Sequence, residues 1–268
     1  MISGRLELVV LASGSSGNAA IIRDAETGRS LLVDCGICVS AFFGRCDEAG
    51  VDPSGIEAVL VTHAHSDHTS GLGVVLRGLA KRGCTPPLYA HPLARNCSKR
   101  IEETEGLVEQ FDIAHGKPFE VAGMTVTPFP TSHDSEGSTC FRFEVGDDAL
   151  GYMTDTGIVT PEAHDALTGV RILAIESNHD KAMLKEGSYP PFLKWRILGK
   201  EGHLSNAQCR KQVVSLLHPG LEHVVAMHVS ENNNTFELPA DVLSEALAAH
   251  GHKACVHVAL PDRPITVS

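Results

Sequence analysis

At 268 residues, 43% of them hydrophobic and 21% charged, the chain is long enough for one domain with a large core and has the composition of a soluble globular protein. No apolar run approaches the roughly 20 residues of a bilayer span, which excludes a transmembrane helix. A formal net charge of −11 excludes a protein that coats nucleic acid by bulk electrostatics, but not an enzyme that meets it through cations in a cleft.

The chain opens on an apolar stretch containing Glu7, which reads as a strand over 6–11 and not as a signal peptide, so a cytoplasmic location is expected. The loop Ser13-Gly14-Ser15-Ser16-Gly17-Asn18 leads into strands at 19–23 and 30–34. Its glycines permit positive φ and expose N–H groups, so the loop, with Ser15, Ser16 and Asn18, could hold a phosphate; a plain hairpin turn is the alternative. A helix is predicted near 38–49, a strand at 58–62, a helix near 70–82, a short strand at 88–91 and a helix near 93–103. Strands follow near 119–121 and at 124–129, 138–145 and 150–154, with Asp147-Asp148 as a hairpin-type turn. A buried strand at 171–176 comes next. The segment 187–202, with Pro190-Pro191, is expected to be a surface loop or lid, and it shares with 181–186 an excess of basic residues that could be no more than a solvated face. Ser205 and Gln208 have capping-box spacing for a helix to about 217, and a strand at 221–228, a helix near 239–250 and a strand at 254–259 complete the pattern. Two strand-rich halves of this kind suggest two sheets packed face to face with helices outside, a single α/β domain over 1–268. Of the eight cysteines, Cys35 and Cys38 form one C-x-x-C with no second pair to complete a zinc site, so buried thiols in a reducing compartment are expected.

The most informative stretch is His63-Ala64-His65-Ser66-Asp67-His68, delivered by the apolar run 58–61 to a strand end. Three imidazoles and a carboxylate so close together suit a cation that takes nitrogen and oxygen ligands. Alternate residues of an extended turn point to different sides, so His63 and His65 can hold one ion while Asp67 and His68 hold a second. Two ions need more ligands, and His133, Asp155 and His228 each stand just past a predicted strand. Asp34 is a candidate to fix the tautomer of a ligating histidine, with a helix N-cap as the alternative.

This constellation resembles the metallo-β-lactamase superfamily, and the resemblance covers essentially the whole chain. It implies the four-layer αβ/βα sandwich of that fold, with His63, His65 and His133 on one divalent metal and Asp67, His68 and His228 on the other. Asp155 would bridge the two ions, with a water or hydroxide between them. An Asp at the bridging position, with His after Asp67, is similar to the hydrolase and nuclease branches. Three further segments, Glu176-Ser177-Asn178-His179-Asp180, Gly202-His203-Leu204-Ser205-Asn206 and His228-Val229-Ser230-Glu231-Asn232-Asn233-Asn234, join the Gly/Ser loop in closely resembling the YycJ/WalJ (VicX) group. That resemblance implies metal-dependent phosphodiesterase action on DNA, including 5′→3′ exonuclease activity on double-stranded DNA. The interval from Asp155 to His228 is too short for the large inserted domain of RNase J-type enzymes, and no Gly/Pro-rich arm like that of RNase Z is present.

The expected chemistry is phosphodiester hydrolysis at two ions of zinc, manganese or iron, for which Asp67 would be essential. His203, just before a capped helix, is the first candidate for proton donor or phosphate ligand. His179 is the second, oriented by Asp180; both histidines could instead be structural. Lys194, Arg196 and Lys200 would hold backbone phosphates. No tyrosine or tryptophan cluster suggests base stacking, so little sequence preference is expected. Two other functions fit less of the pattern. One is hydrolysis of a thioester, lactone or β-lactam at the same metals. The other is a non-enzymatic metal-binding partner in a signalling pathway, which seven candidate ligands argue against.

Overall fold

The protein is described by a computed structural model over residues 5–268, and Met1 to Gly4 of the N-terminal stretch lie outside the described residues. The strands are β1 (Leu6–Ala12), β2 (Ala19–Asp24), β3 (Ser30–Val33), β4 (Ile56–Leu60), β5 (Leu88–Ala90), β6 (Gln110–Asp112), β7 (Phe119–Val121), β8 (Met124–Pro130), β9 (Thr139–Val145), β10 (Asp148–Met153), β11 (Ile172–Glu176), β12 (His223–Met227), β13 (Cys255–Val258) and β14 (Ile265–Val267). The helices are α1 (Val39–Glu48), α2 (Ser66–Thr69), α3 (Leu72–Ala80), α4 (Pro92–Cys97), α5 (Lys99–Glu102), α6 (Pro161–Leu167), α7 (Lys181–Glu186), α8 (Pro191–Leu198), α9 (Asn206–Ser215) and α10 (Glu237–Ala249).

One sheet has the order β14-β1-β2-β3-β4-β5-β6 and the other β13-β12-β11-β10-β9-β8-β7. Each is antiparallel at one side and parallel at the other: β3 to β6 run parallel in the first, and β10 to β13 in the second. The two-residue period of a strand sorts the apolar side chains between layers. In β1, Leu6, Leu8 and Val10 enter the core between the sheets, where they join Phe141, Phe143 and Tyr152 from the other sheet. Val9 and Leu11 face outward onto Phe42, Val75 and Leu76 of α1 and α3. The second sheet buries its outer face under α6, α9 and α10, through residues such as Leu167, Val213 and Leu243. The four-layer αβ/βα sandwich expected from the sequence is the architecture observed.

Several local expectations differ from the structure. The segment 187–202 is not mainly loop, because Pro190-Pro191 caps and opens α8, where proline's fixed φ suits the first turn. The predicted helix over 93–103 is two short ones that break at Ser98, whose extended backbone ends α4 and whose side chain caps α5. The hairpin turn is Gly146-Asp147, with Gly146 at φ 57°, and Asp148 already pairs with Val145. Five cysteines are buried as expected, but Cys38, Cys97 and Cys255 are exposed, and none of the eight is bonded to another. No helix among the described residues is long and apolar enough to cross a membrane.

Parallel strands put their C-terminal ends on one edge, and that edge positions the site. Asp34 follows β3, His63 comes three residues after β4, Asp155 two residues after β10, Glu176 ends β11 and His228 follows β12. Three of these residues, Asp34, Asp155 and His228, hold left-handed φ values of 59°, 52° and 53°. Such a conformation costs a non-glycine residue free energy and persists where surrounding structure imposes it, as it commonly does at functional sites.

Candidate metal centre

Two groups of donors that share no residue meet at this edge, His63, His65 and His133 in one and Asp67, His68, Asp155 and His228 in the other, and a further set, Glu176 and His203 with Asp155 and His228, adjoins them. In the first, His65 Nδ1 lies 3.1 Å from His63 Nε2 and 3.2 Å from His133 Nε2. A tetrahedron with metal–nitrogen bonds of about 2.0–2.1 Å has edges of about 3.3 Å, so these three nitrogens are spaced as ligands of one ion. In the second, His68 Nε2 is 3.4 Å from Asp67 Oδ2 and 3.2 Å from Asp155 Oδ2, and His228 Nε2 is 3.4 Å from Asp67 Oδ2. Asp155 Oδ1 stands 3.8 Å from His133 Nε2 and 3.5 Å from His228 Nε2, so this carboxylate reaches both groups.

The opposite ring nitrogens are held from behind. His68 Nδ1 donates to Asp34 Oδ2 at 2.7 Å, and Asp34 also accepts from the Thr62 amide and hydroxyl at 2.8 and 2.7 Å. With its proton committed to Asp34, the Thr62 hydroxyl accepts from His63 Nδ1 at 3.0 Å. His133 Nδ1 donates to the Gly202 carbonyl at 3.1 Å. In all three rings this leaves Nε2 turned towards the other donors, the nitrogen that would take a metal. Asp34 is buried, and it does not cap α1, whose N-cap is Cys38.

Electrostatics differ between the groups. Burial lowers the His63 and His65 pKa, with help from the neighbouring imidazoles, so both stay neutral. Burial opposes charge on Asp67, Asp155 and His68 as well, but mutual pairing overrides it. Hydrogen bonds from His228 and His68 hold Asp67 well below the usual carboxylate range, and Asp155 and Asp34 hold His68 well above 6.5. Asp155 is likewise kept ionised by His228 and His68.

Beside this set stands a Glu–His pair. Glu176 is fully buried; its Oε2 accepts from the Thr156 and Leu204 amides at 3.0 Å each, and its Oε1 accepts from His203 Nδ1 at 2.6 Å. Burial alone would discharge His203, but the Glu176 carboxylate raises its pKa to about 9. Donors and pair open on a cleft of about 270 Å³ lined by Ser15, Asp67, Asp155, Arg196, His203 and His228, among others.

The chain matches the family described as "Beta-lactamase superfamily domain" over residues 29–229. It is 31% identical over 246 residues to exodeoxyribonuclease YycJ of Bacillus anthracis, covering 92% of this chain and 90% of that protein. It is 32% identical over 243 residues to exodeoxyribonuclease WalJ of Streptococcus pneumoniae, covering 89% and 87%. The chain belongs to the YycJ/WalJ group of the β-lactamase superfamily. Among solved structures, the metallo-β-lactamase fold protein YhfI of Bacillus subtilis superposes with a TM-score of 0.71 at 16% identity, over 98% of this chain and 100% of that one, a likeness of fold. With membership shown and the donor set in place, the protein is a metal-dependent hydrolase.

The segments that carry the YycJ/WalJ resemblance lie around and beneath the donors. Ser177 Oγ donates to Asn206 Oδ1 at 2.8 Å, Asn206 Nδ2 donates to Asn234 Oδ1 at 2.9 Å, and Asn234 Nδ2 donates to the Ser177 and Asn178 carbonyls at 3.1 and 3.0 Å. Asn178 Nδ2 in turn donates to the His228 carbonyl at 2.8 Å, while the His228 amide donates to Ser13 Oγ at 2.8 Å, so the left-handed His228 is held from both sides. Thr62 went unmarked in the sequence, and Glu176, Asn178, Asn206 and Asn234 stood there only as members of the motifs that carry the resemblance, with no role assigned. Glu176 had a signal, an acidic side chain ending a buried strand, where only a partnered charge is tolerated.

Several expected site residues stand elsewhere. Asn18 is buried and offers no open phosphate ligand: its Oδ1 accepts from the Gly14 amide at 2.9 Å, its Nδ2 lies 3.3 Å from Asp67 Oδ2, and its amide donates to the Asp67 carbonyl at 2.7 Å. Ser15 lines the cleft, whereas Ser16 lines a different depression beside Cys38 and Arg45. Lys194 Nζ donates to the Lys185 and Gly187 carbonyls at 2.7 Å each, which ties it to the end of α7. Arg196 reaches the cleft mouth, paired with Asp134 at 3.0 Å, and Lys200 lines the adjoining depression. Asp180 caps α7 through the Ala182 and Met183 amides and does not orient His179. The His179 ring is buried without a partner, outside both donor groups, and burial lowers its pKa to about 4, so it carries no proton to donate at neutral pH.

Proposed function

We propose that the protein is a dinuclear-metal phosphodiesterase acting on DNA, a 5′→3′ exonuclease on double-stranded ends. The observation that carries the reading is one cleft lined by the donors His65, Asp67, His133, Asp155 and His228 together with His203 and Arg196, with His63 and His68 buried behind it. The exodeoxyribonuclease names of relatives similar over most of their length support DNA as the substrate. Divalent ions held there would acidify a water and neutralise phosphate charge, and zinc, manganese and iron all suit the nitrogen and oxygen donors. His63, His65 and His133 would hold one ion, Asp67, His68 and His228 the other, and Asp155 would be shared.

The chain's own residues do the rest. Arg196 offers two parallel donors to a phosphate, at the expense of its exchangeable pairing with Asp134. Glu176 fixes His203 through Nδ1, which leaves Nε2 to give its proton to the leaving 3′ oxygen. Asn18 and Asp34 position Asp67 and His68.

The test is hydrolysis of 5′-labelled linear duplex DNA by metal-stripped protein with manganese or zinc restored, beside an Asp67→Ala variant, a thioester and a β-lactam. Shortening from the 5′ end that needs both metal and Asp67 is expected. Intact DNA with a hydrolysed thioester or lactam would overturn the reading in favour of a small-substrate hydrolase.

A further inference from the structure

We infer that Trp195 and Phe192 form a platform on which an unpaired terminal base of the DNA stacks, next to the phosphate held at the metal cleft; this rests on the nuclease reading above. Among the described residues, eight large hydrophobic side chains are exposed, and three of them, Phe192, Trp195 and Leu198, lie on α8. Trp195 at 74% and Phe192 at 69% are the two most exposed of the eight. Their spacing of three places them one turn apart on one flank of the helix.

The fold does not need these rings. Helix α8 is anchored through buried Ile197, through Lys194 on the Lys185 and Gly187 carbonyls, and through Arg196 on Asp134. Its C-terminal end is pinned by Gly202, where a Cβ would stand 2.2 Å from the Ile197 carbonyl oxygen. A helix held so firmly on one side, with its largest apolar surface left in water on the other, has the form of a recognition element.

Position names the occupant. Arg196 lines the metal cleft and also the adjoining depression of about 280 Å³, which Trp195, Lys200, Asp134 and Glu201 line too. Trp195 is therefore separated from the donor groups by one cation, with a second cation beside it. Cations that track phosphates, interleaved with flat rings that take bases, make up the general platform for single-stranded nucleic acid. Only an unstacked base can lie on a protruding indole, which selects a terminal, unpaired nucleotide over one within the duplex. Stacking does not read base identity, so the platform is compatible with the absence of sequence preference. The chain has no tyrosine or tryptophan cluster, but the structure leaves its one tryptophan and, three positions earlier on the same helix, a phenylalanine exposed.

Trp195 is the single tryptophan of the chain, so its emission reports on the platform directly. The metal-loaded protein is titrated with a duplex carrying phosphorothioate terminal linkages, once with an intact 5′-terminal nucleotide and once with an abasic one. Quenching by the intact end, and much less by the abasic end, is expected. On cleavable duplex, Trp195→Ala should raise KM about tenfold or more, change kcat little and lose the preference for the intact end, while Trp195→Phe keeps most of it. Phe192→Ala, read in the same assays, serves if Trp195→Ala is not recovered folded. Equal quenching and equal turnover of both ends by the wild type would overturn the platform and leave the nuclease standing. A blue shift on anionic phospholipid vesicles with no response to DNA would overturn it too, in favour of a membrane surface. No DNA turnover at all beside thioester turnover would remove the nuclease reading and this inference together.

Discussion

Each imidazole proposed as a ligand is only as good as the group behind it. His68 has a fully buried ring whose Nδ1 is held by Asp34 at 2.7 Å, so the orientation of Nε2 toward Asp67 and Asp155 depends on that carboxylate. Asp34→Asn is the informative substitution, because asparagine tolerates the φ of 59° that alanine would strain. We expect metal affinity to fall about 10–100-fold, measured by competition with a calibrated chelator, with the fold retained by circular dichroism. The second residue-scale prediction concerns His203. Burial pushes its pKa down and Glu176 lifts it to about 9, so the imidazolium persists through neutrality and is lost as pH rises through that value. Glu176→Gln removes the larger lift and leaves burial opposed by Asp155 alone, so the His203 pKa falls. The alkaline limb of the kcat profile on duplex DNA, recorded at saturating metal, should therefore move to lower pH in the variant than in the wild type. An alkaline limb left in place would remove His203 from the role of proton donor.

The loops at the strand ends act as a unit. The Gly/Ser loop and the turn after β3 close over α2: the Asn18 amide donates to the Asp67 carbonyl, and Gly36 lies so close that a Cβ would stand 1.6 Å from the same oxygen. Gly36→Ala forces α2 outward, with an expected loss of about 1–3 kcal/mol or more in urea unfolding and a fall in kcat as Asp67 is displaced. How much was legible beforehand follows from the same elements. His63, His65, Asp67 and His68 announce themselves because ligand chemistry needs dense, closely spaced donors, and His133, Asp155 and His228 because each stands just past an apolar run. Most strands of the two sheets show through period and apolar runs, but the short β6 does not. By contrast, α8 is short and flanked by Pro-Pro and Gly, and tertiary pins hold it in place of an amphipathic face, so no periodicity marks it. Strand β14 exists through three pairings with β1 at the other end of the chain, which local pattern cannot report. Asn18 reads like a phosphate-loop residue because its buried partner, Asp67, is 49 positions away.

At the scale of the whole molecule, charge constrains how the proposed DNA substrate would be met. With 22 basic against 33 acidic residues, the protein's field repels a polyanion, so association must be local and carried by a few cations. The structure narrows these further: Lys194 spends its ammonium on backbone carbonyls, which leaves Arg196 and Lys200 beside the metal donors. Each neutralised phosphate contributes about −0.9 to the slope of log affinity against log salt, so a footprint this small predicts a slope of about −2 to −3. Chelating the metals should lower affinity further, because the carboxylates of Asp67 and Asp155 would then face the phosphate uncompensated. Arg196→Glu should reduce kcat/KM on duplex DNA by about 10–100-fold, the scale of a charge-assisted hydrogen bond. Fluorescence anisotropy with labelled duplex at 50–300 mM salt, with and without chelator, reads the first two effects, and initial rates of duplex hydrolysis read the third. A slope of about −6 or steeper would demand more cationic contacts than this acidic surface can offer, and would require a second protein copy or a partner to supply them.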